Sequence, residues 1–186
     1  MKVEQKILFC VGIILALTMA AGSASAAITV DSFTKLTDNP YTDSVPDWSP
    51  DDTKIIYMAY TSNWWTHSRI VEMNSDGTGK DEVIPETAWF ARYSPDGTKI
   101  AYASYPPDGS LSLKDLNSGS VEILVSGEGI YEGVVPDWSP DGKKIVYSRY
   151  KWSDKLGQIW IYDLESKTNT KISTDDTVDE RYPAWS

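Results

Sequence analysis

The chain has 186 residues, with 17 Lys and Arg against 27 Asp and Glu; the net charge of −10 makes nucleic acid and anionic membrane poor partners. Hydrophobic residues make up 41% and aromatic ones 12%, enough for a sizeable core and too many for a disordered acidic tail. The one Cys, Cys10, lies near the start of the chain, and His67 is the one His, so a Ser-His-Asp constellation could be built at a single place only.

In chain order, Lys2 and Lys6 precede an apolar run from Ile7 to Met19, and small residues follow to Ala24-Ser25-Ala26. This is the build of a secretory signal, residues 1–26, with cleavage expected after Ala26. The run is shorter than the roughly 20 residues that span a bilayer. Cleavage would remove Cys10, leaving residues 27–186 without a disulfide, a thiolate metal site or a thiol nucleophile. No later stretch approaches spanning length, so the expected location is outside the cytoplasmic membrane: periplasmic, cell-surface or extracellular.

Phe33 to Thr37 reads as a short strand, the outermost of a unit that lacks its first three. A repeat then begins. Pro46-Asp47-Trp48-Ser49-Pro50-Asp51-Asp52-Thr53-Lys54-Ile55-Ile56-Tyr57 returns as Ala91-Arg92-Tyr93-Ser94-Pro95-Asp96-Gly97-Thr98-Lys99-Ile100-Ala101-Tyr102. It returns again as Pro136-Asp137-Trp138-Ser139-Pro140-Asp141-Gly142-Lys143-Lys144-Ile145-Val146-Tyr147. Pro183-Ala184-Trp185-Ser186 opens a fourth copy, so the anchor aromatic falls at 48, 93, 138 and 185.

Each period predicts four short strands. The first ends at the anchor aromatic, and Ser-Pro-Asp-Gly makes a tight turn in which Pro fixes φ, Asp bonds backbone amides and Gly eases the exit. Second strands run from Lys54, Lys99 and Lys144 with both faces apolar, which implies a sheet covered on both sides. Third strands are expected at 68–73, 110–116 and 158–164, and fourth strands at 82–84, 121–125 and 170–173. After the leader no segment holds a helical period over more than two turns. The fold class is all-β, and antiparallel four-stranded units of this length are the blades of a β-propeller.

At the residues Trp138 to Tyr147 and Ile159-Trp160-Ile161-Tyr162-Asp163 the chain resembles the TolB-type, WD-repeat-like propeller repeat, whose form is P-x-W-S-P-D-G-x-x-I-x-Y with a later I-Y-x-x-D. The resemblance covers residues 33–186, with departures at Asp52 in place of Gly and at Ala91-Arg92-Tyr93 in place of Pro-x-Trp. It implies a propeller that docks protein partners. The blades are expected at about 45–84, 90–125 and 134–173, with incomplete strands at 33–37 and 182–186, about three and a half blades in all. Closed rings usually take four to eight. The expectation is therefore a fragment of a longer gene product or a chain that completes its ring with another chain, with self-association through the unmatched blade faces as the second outcome.

Repeated residues serve the repeat. Trp48, Tyr93, Trp138 and Trp185 are read as packing between blades, and Asp51, Asp96 and Asp141 as turn residues rather than calcium ligands, since the D-x-D-x-D-G spacing is missing. Function is sought where copies differ, in the loops between second and third strands and between one blade and the next, which share one face of the ring. Trp64, Trp65, His67 and Trp152 fall in the first set of loops, Trp89 and Tyr131 in the second. Aromatic anchors ringed by charge are typical of binding surfaces. Asp47 and Asp137, with Arg92 between them, are placed to point into the central channel, either as a self-compensating structural set or as a site for a cation or an amine.

Three functions compete. The first is a non-catalytic exported module that binds a protein or peptide. The second is the propeller portion of an exported prolyl-oligopeptidase-type peptidase, although no G-x-S-x-G elbow is present. The third is a carbohydrate-active propeller, for which only His67, Lys151 and Lys155 offer a base or a neutralising charge. No cofactor, metal ligand or catalytic residue is assigned.

Overall fold

The computed structural model describes residues 8–9, 13–14, 32–61, 67–104, 109–127, 134–151 and 155–186. Fifteen strands and no helix are present among them. Leu8–Phe9 (β1), Ile13–Ile14 (β2) and Thr34–Lys35 (β3) form a small antiparallel sheet in the order β1-β2-β3. Three four-stranded antiparallel sheets follow. The first holds Thr42–Trp48 (β4), Lys54–Tyr60 (β5), Ser68–Asn74 (β6) and Asp81–Ile84 (β7). The second holds Ala88–Tyr93 (β8), Lys99–Ser104 (β9), Ser110–Asp115 (β10) and Val121–Ser126 (β11). The third holds Asp137–Trp138 (β12), Lys144–Lys151 (β13), Leu156–Asp163 (β14) and Thr168–Lys171 (β15). Each sheet is ordered as its strands come in the chain, the meander of a propeller blade, and the three blades do not close a ring.

The turn after each innermost strand is built three times over from the same side chains. The Ser49 hydroxyl accepts the Lys54 N–H at 2.9 Å and donates to Asp51 Oδ1 at 2.7 Å, and Asp51 accepts the Thr53 N–H at 3.2 Å. Ser94 with Asp96 and Ser139 with Asp141 repeat the arrangement. The next residue has a left-handed backbone in every copy: Asp52 at φ 60°, Gly97 at 70° and Gly142 at 69°. The departure at Asp52 therefore leaves the turn type intact.

Second strands are buried on both faces, as their composition predicts: Ile55 to Ala59 and Ile100 to Ala103 are all buried. Tyr93, Ile100 and Tyr102 share the face of the second blade that turns toward the first, since the Tyr93 hydroxyl donates to Glu72 on β6 at 2.6 Å. Trp138, Ile145 and Tyr147 likewise face the second blade, and the Trp138 indole N–H donates to the Arg92 carbonyl at 3.2 Å. One continuous core results, running from Ile56, Met58 and Ile70 through Ala101, Leu111 and Leu113 to Ile145, Tyr147 and Tyr162. A fully buried Ile or Leu such as Ile56, Ile70, Leu111 or Ile145 contributes about 1.5–3 kcal/mol. A second cluster, Ile55, Tyr57, Ala59, Val71 and Met73, lies on the opposite face of the first blade under Leu36 and Trp48.

Two strand expectations need correction. β3 covers Thr34–Lys35 of the predicted 33–37, and it pairs with Ile13–Ile14, inside the leader expected to be cleaved. A strand with no middle strands of its own leaves both edges open, and an open edge takes an available extended segment. Residues 182–186 form no strand, although Trp185 is docked on the third blade. β4 and β8 also start upstream of the alternating pattern, at Thr42 and Ala88, because a β-bulge interrupts each one. The bulges place Val45 at φ 50° and Phe90 at φ 54°.

Candidate functional site

The innermost strands carry the expected Asp, Arg, Asp set. The Asp47 carboxylate crosses to the second blade and accepts the Tyr93 N–H at 3.0 Å. Asp137 does the same at the far end, accepting the Trp185 N–H at 2.7 Å. Arg92, at the equivalent position in the second blade, has no acceptor to offer; its guanidinium donates to the Ala91 carbonyl at 3.0 Å. Burial pushes the Asp47 carboxyl above its ordinary range, the Arg92 charge pulls it back, and Asp137 opposes ionisation again. Asp47 is thus within electrostatic reach of both Arg92 and Asp137, while the two carboxylates accept backbone N–H groups of the segment that follows.

Trp89 is not a loop anchor. It lies within β8, 3% exposed, in the core shared by the blades. The bulge after it hid the upstream half of that strand from the sequence pattern. His67 is exposed, one residue before β6. Trp64, Trp65, Tyr131 and Trp152 fall outside the described residues.

Around the ends of the strands that lead into residues 62–66 and 105–108, the structure gathers hydroxyls that no motif announced. Ser104, Ser110 and Ser112 form a closed triangle at 2.5, 2.9 and 3.0 Å. They share the Tyr102 face of the second blade, which turns toward the first. On the first blade, Ser44 and Ser68 lie on the facing side, with Oγ atoms that are buried and lack a hydrogen-bond partner. Burial pushes the Tyr102 hydroxyl up to about 12, with the Glu86 charge adding to it. The alternation Ser110-Leu111-Ser112-Leu113 is the sequence signal for this seam: hydroxyls on one face, Leu on the other. On the opposite face of the first blade, Arg69 sits over the Tyr41 ring at 4.8 Å and pairs with Glu82 at 2.6 Å.

Among the described residues no group of three or more His, Cys, Asp or Glu could hold a metal ion, and no helix is long and apolar enough to cross a membrane. The turn carboxylates are held by local bonds: neighbouring hydroxyls and amides keep Asp51, Asp96 and Asp141 below the usual carboxylate range.

No family model matches the chain. An uncharacterized protein of Agrobacterium fabrum is 29% identical over 131 residues, which is 63% of this chain and 43% of that protein. The Tol-Pal system protein TolB of Francisella tularensis subsp. mediasiatica is 29% identical over 129 residues, 65% of this chain and 29% of that one. The matched stretch thus spans less than half the length of either relative. Among solved structures, a putative TolB from Agrobacterium tumefaciens superposes with a TM-score of 0.68 at 21% identity, over 88% of this chain and 56% of that one. An oligogalacturonate lyase in complex with manganese superposes at 0.63 and 17% identity, over 79% and 40%. At these identities the superpositions show the propeller fold alone. In sequence motif and in fold, the chain resembles TolB-type propellers.

Proposed function

We propose that this chain of TolB-type blades is a non-catalytic, exported binding module whose partner is a protein or peptide. The observation that carries the reading is how the repeated polar residues are used. Ser49, Ser94 and Ser139 with their Asp partners hold the turns, and Asp47 and Asp137 join blades. Recognition then falls to what differs between the units: Trp64 and Trp65 between β5 and β6 in the chain, Trp152 between β13 and β14, and Tyr131 between β11 and β12. The similarity to a TolB named for the Tol-Pal system supports a protein partner, and the leader-like residues 1–26 support export.

Replacing Trp64, Trp65 and Trp152 together by Ala tests the reading in affinity capture from a periplasmic or secreted extract. The expected result is loss of the captured partner with an unchanged circular dichroism spectrum. Capture that survives the triple substitution removes this face from consideration. The lyase likeness favours the carbohydrate-active reading as the second one, and turnover of oligogalacturonate that depends on His67 would put it first.

A further inference from the structure

We propose that the outer strand of the second blade, β11, is a second interaction surface, distinct from the loop face, that accepts an extended, basic, apolar-alternating segment of a partner protein by strand addition. The outer strand of a blade is an edge with unpaired backbone groups, and proteins normally guard such edges with short length and charge. The first and third blades do so. β7 is Asp81-Glu82-Val83-Ile84 and β15 is Thr168-Asn169-Thr170-Lys171, four residues each.

β11 is six residues, Val121-Glu122-Ile123-Leu124-Val125-Ser126, and its register shows what has been exchanged. Ile123 stands opposite Ser112, where the other blades set Glu82 opposite Val71 and Lys171 opposite Trp160. Val121 stands opposite Lys114, where the third blade sets Asn169 opposite Tyr162. Glu82 and Lys171 are each held in an ion pair, with Arg69 and Asp176. Their apolar counterpart Ile123 is 61% exposed and Val121 is 50% exposed, on one face of the same strand. The only charge on β11 is Glu122, on the other face, paired with Lys167 of the third blade at 3.0 Å.

Strand addition draws affinity from main-chain hydrogen bonds and specificity from alternate side chains, here apolar ones laid beside Val121 and Ile123. The chain's net charge of −10 selects the occupant. Two copies of this chain repel each other over the Debye length, whereas a basic segment is drawn in. This surface does not depend on the loop-face reading and stands if that reading fails.

The test uses the full chain and a synthetic fluorescent peptide that alternates valine with threonine and carries lysine at both ends. Anisotropy titration is expected to saturate, and amide hydrogen exchange at residues 121–126 is expected to slow on binding. Ile123→Lys and Val121→Lys, each at an exposed site, are expected to weaken binding by about tenfold or more with unchanged melting temperature. A peptide with glutamate at both ends is expected to bind more weakly. Absence of saturation below about 1 mM, binding unaffected by both Lys substitutions, or equal binding of the glutamate peptide overturns the proposal. So does a concentration-dependent dimer in sedimentation that Ile123→Lys abolishes while the peptide fails to bind, because the edge would then be self-pairing.

Discussion

Asp52 sits where the other two turns have Gly, and all three positions share a left-handed φ, between 60° and 70°. A side chain there costs on the order of 1 kcal/mol against Gly, less for Asp than for most residues. Asp52→Gly is therefore expected to raise stability by about 0.5–1 kcal/mol, read as a higher urea midpoint at unchanged slope. Gly142→Ala is expected to lower it by about 1 kcal/mol. Space is not the reason: a Cβ at Gly142 would meet Pro95 only at 3.7 Å, an ordinary contact, so the whole effect belongs to the backbone angle. The turn after β14 poses the same choice, since Lys167 at φ 55° replaces the Gly119 of its counterpart at 72° while Asp115 and Asp163 cap both turns alike.

At the level of strands, the bulges in β4 and β8 recur three residues before the anchor aromatic, and Tyr182 has a left-handed φ of 58° at the same offset before Trp185. Holding Val45 there is costly for a β-branched residue, and Asp137 makes the same forward bond as Asp47 without such a residue before it. Asp47→Ala leaves the Tyr93 N–H without its acceptor and is expected to cost about 1–3 kcal/mol. Asp47→Asn keeps an oxygen in place and is expected to cost less, the difference being measurable by chemical denaturation. Much of this level was legible in the sequence. The Ser-Pro-Asp signature located the turn between first and second strands in all three blades, and the strands after it follow from their apolar runs. The starts of β4 and β8 were hidden because a bulge breaks the period-two pattern, and Trp89 was consequently assigned to a loop. The departure at Tyr93 from the Trp of the repeat has a partner: its hydroxyl meets Glu72, too distant in sequence for any local pattern to reveal. Val121 and Ile123 were read as plain strand residues, because their exposure emerges only when the three registers are set side by side.

For the molecule as a whole, acid is the condition most directly set by its chemistry. Asp51, Asp76, Asp96, Asp141, Asp163 and Asp175 all have carboxyls held below the ordinary 3.8 by hydroxyls and amides of their own turns, with Ser94 the largest cause at Asp96. A depressed carboxyl contributes stability that is fully present above the unfolded value and is lost as pH falls through the folded one. Asp47 has the opposite sign, since burial raises it: its contribution is present below the unfolded value and fades as pH rises through the folded one. The lowered group is the larger, so the melting temperature is expected to hold from neutrality to about pH 5 and to fall steeply below about pH 4. Asp96→Asn with Asp141→Asn is expected to flatten that fall, and an equally steep acid limb in the double variant would show that the turns do not govern it.

The forward reach of Asp47 and Asp137 has a genetic corollary. The first and third units each carry their own fastener for whatever comes after them, so copying either stretch of about 45 residues in frame would insert a blade whose joint is already supplied. Only the unit bearing Arg92 lacks the fastener, and its seam with the third blade rests instead on the Trp138 indole, the Glu122–Lys167 pair and apolar packing.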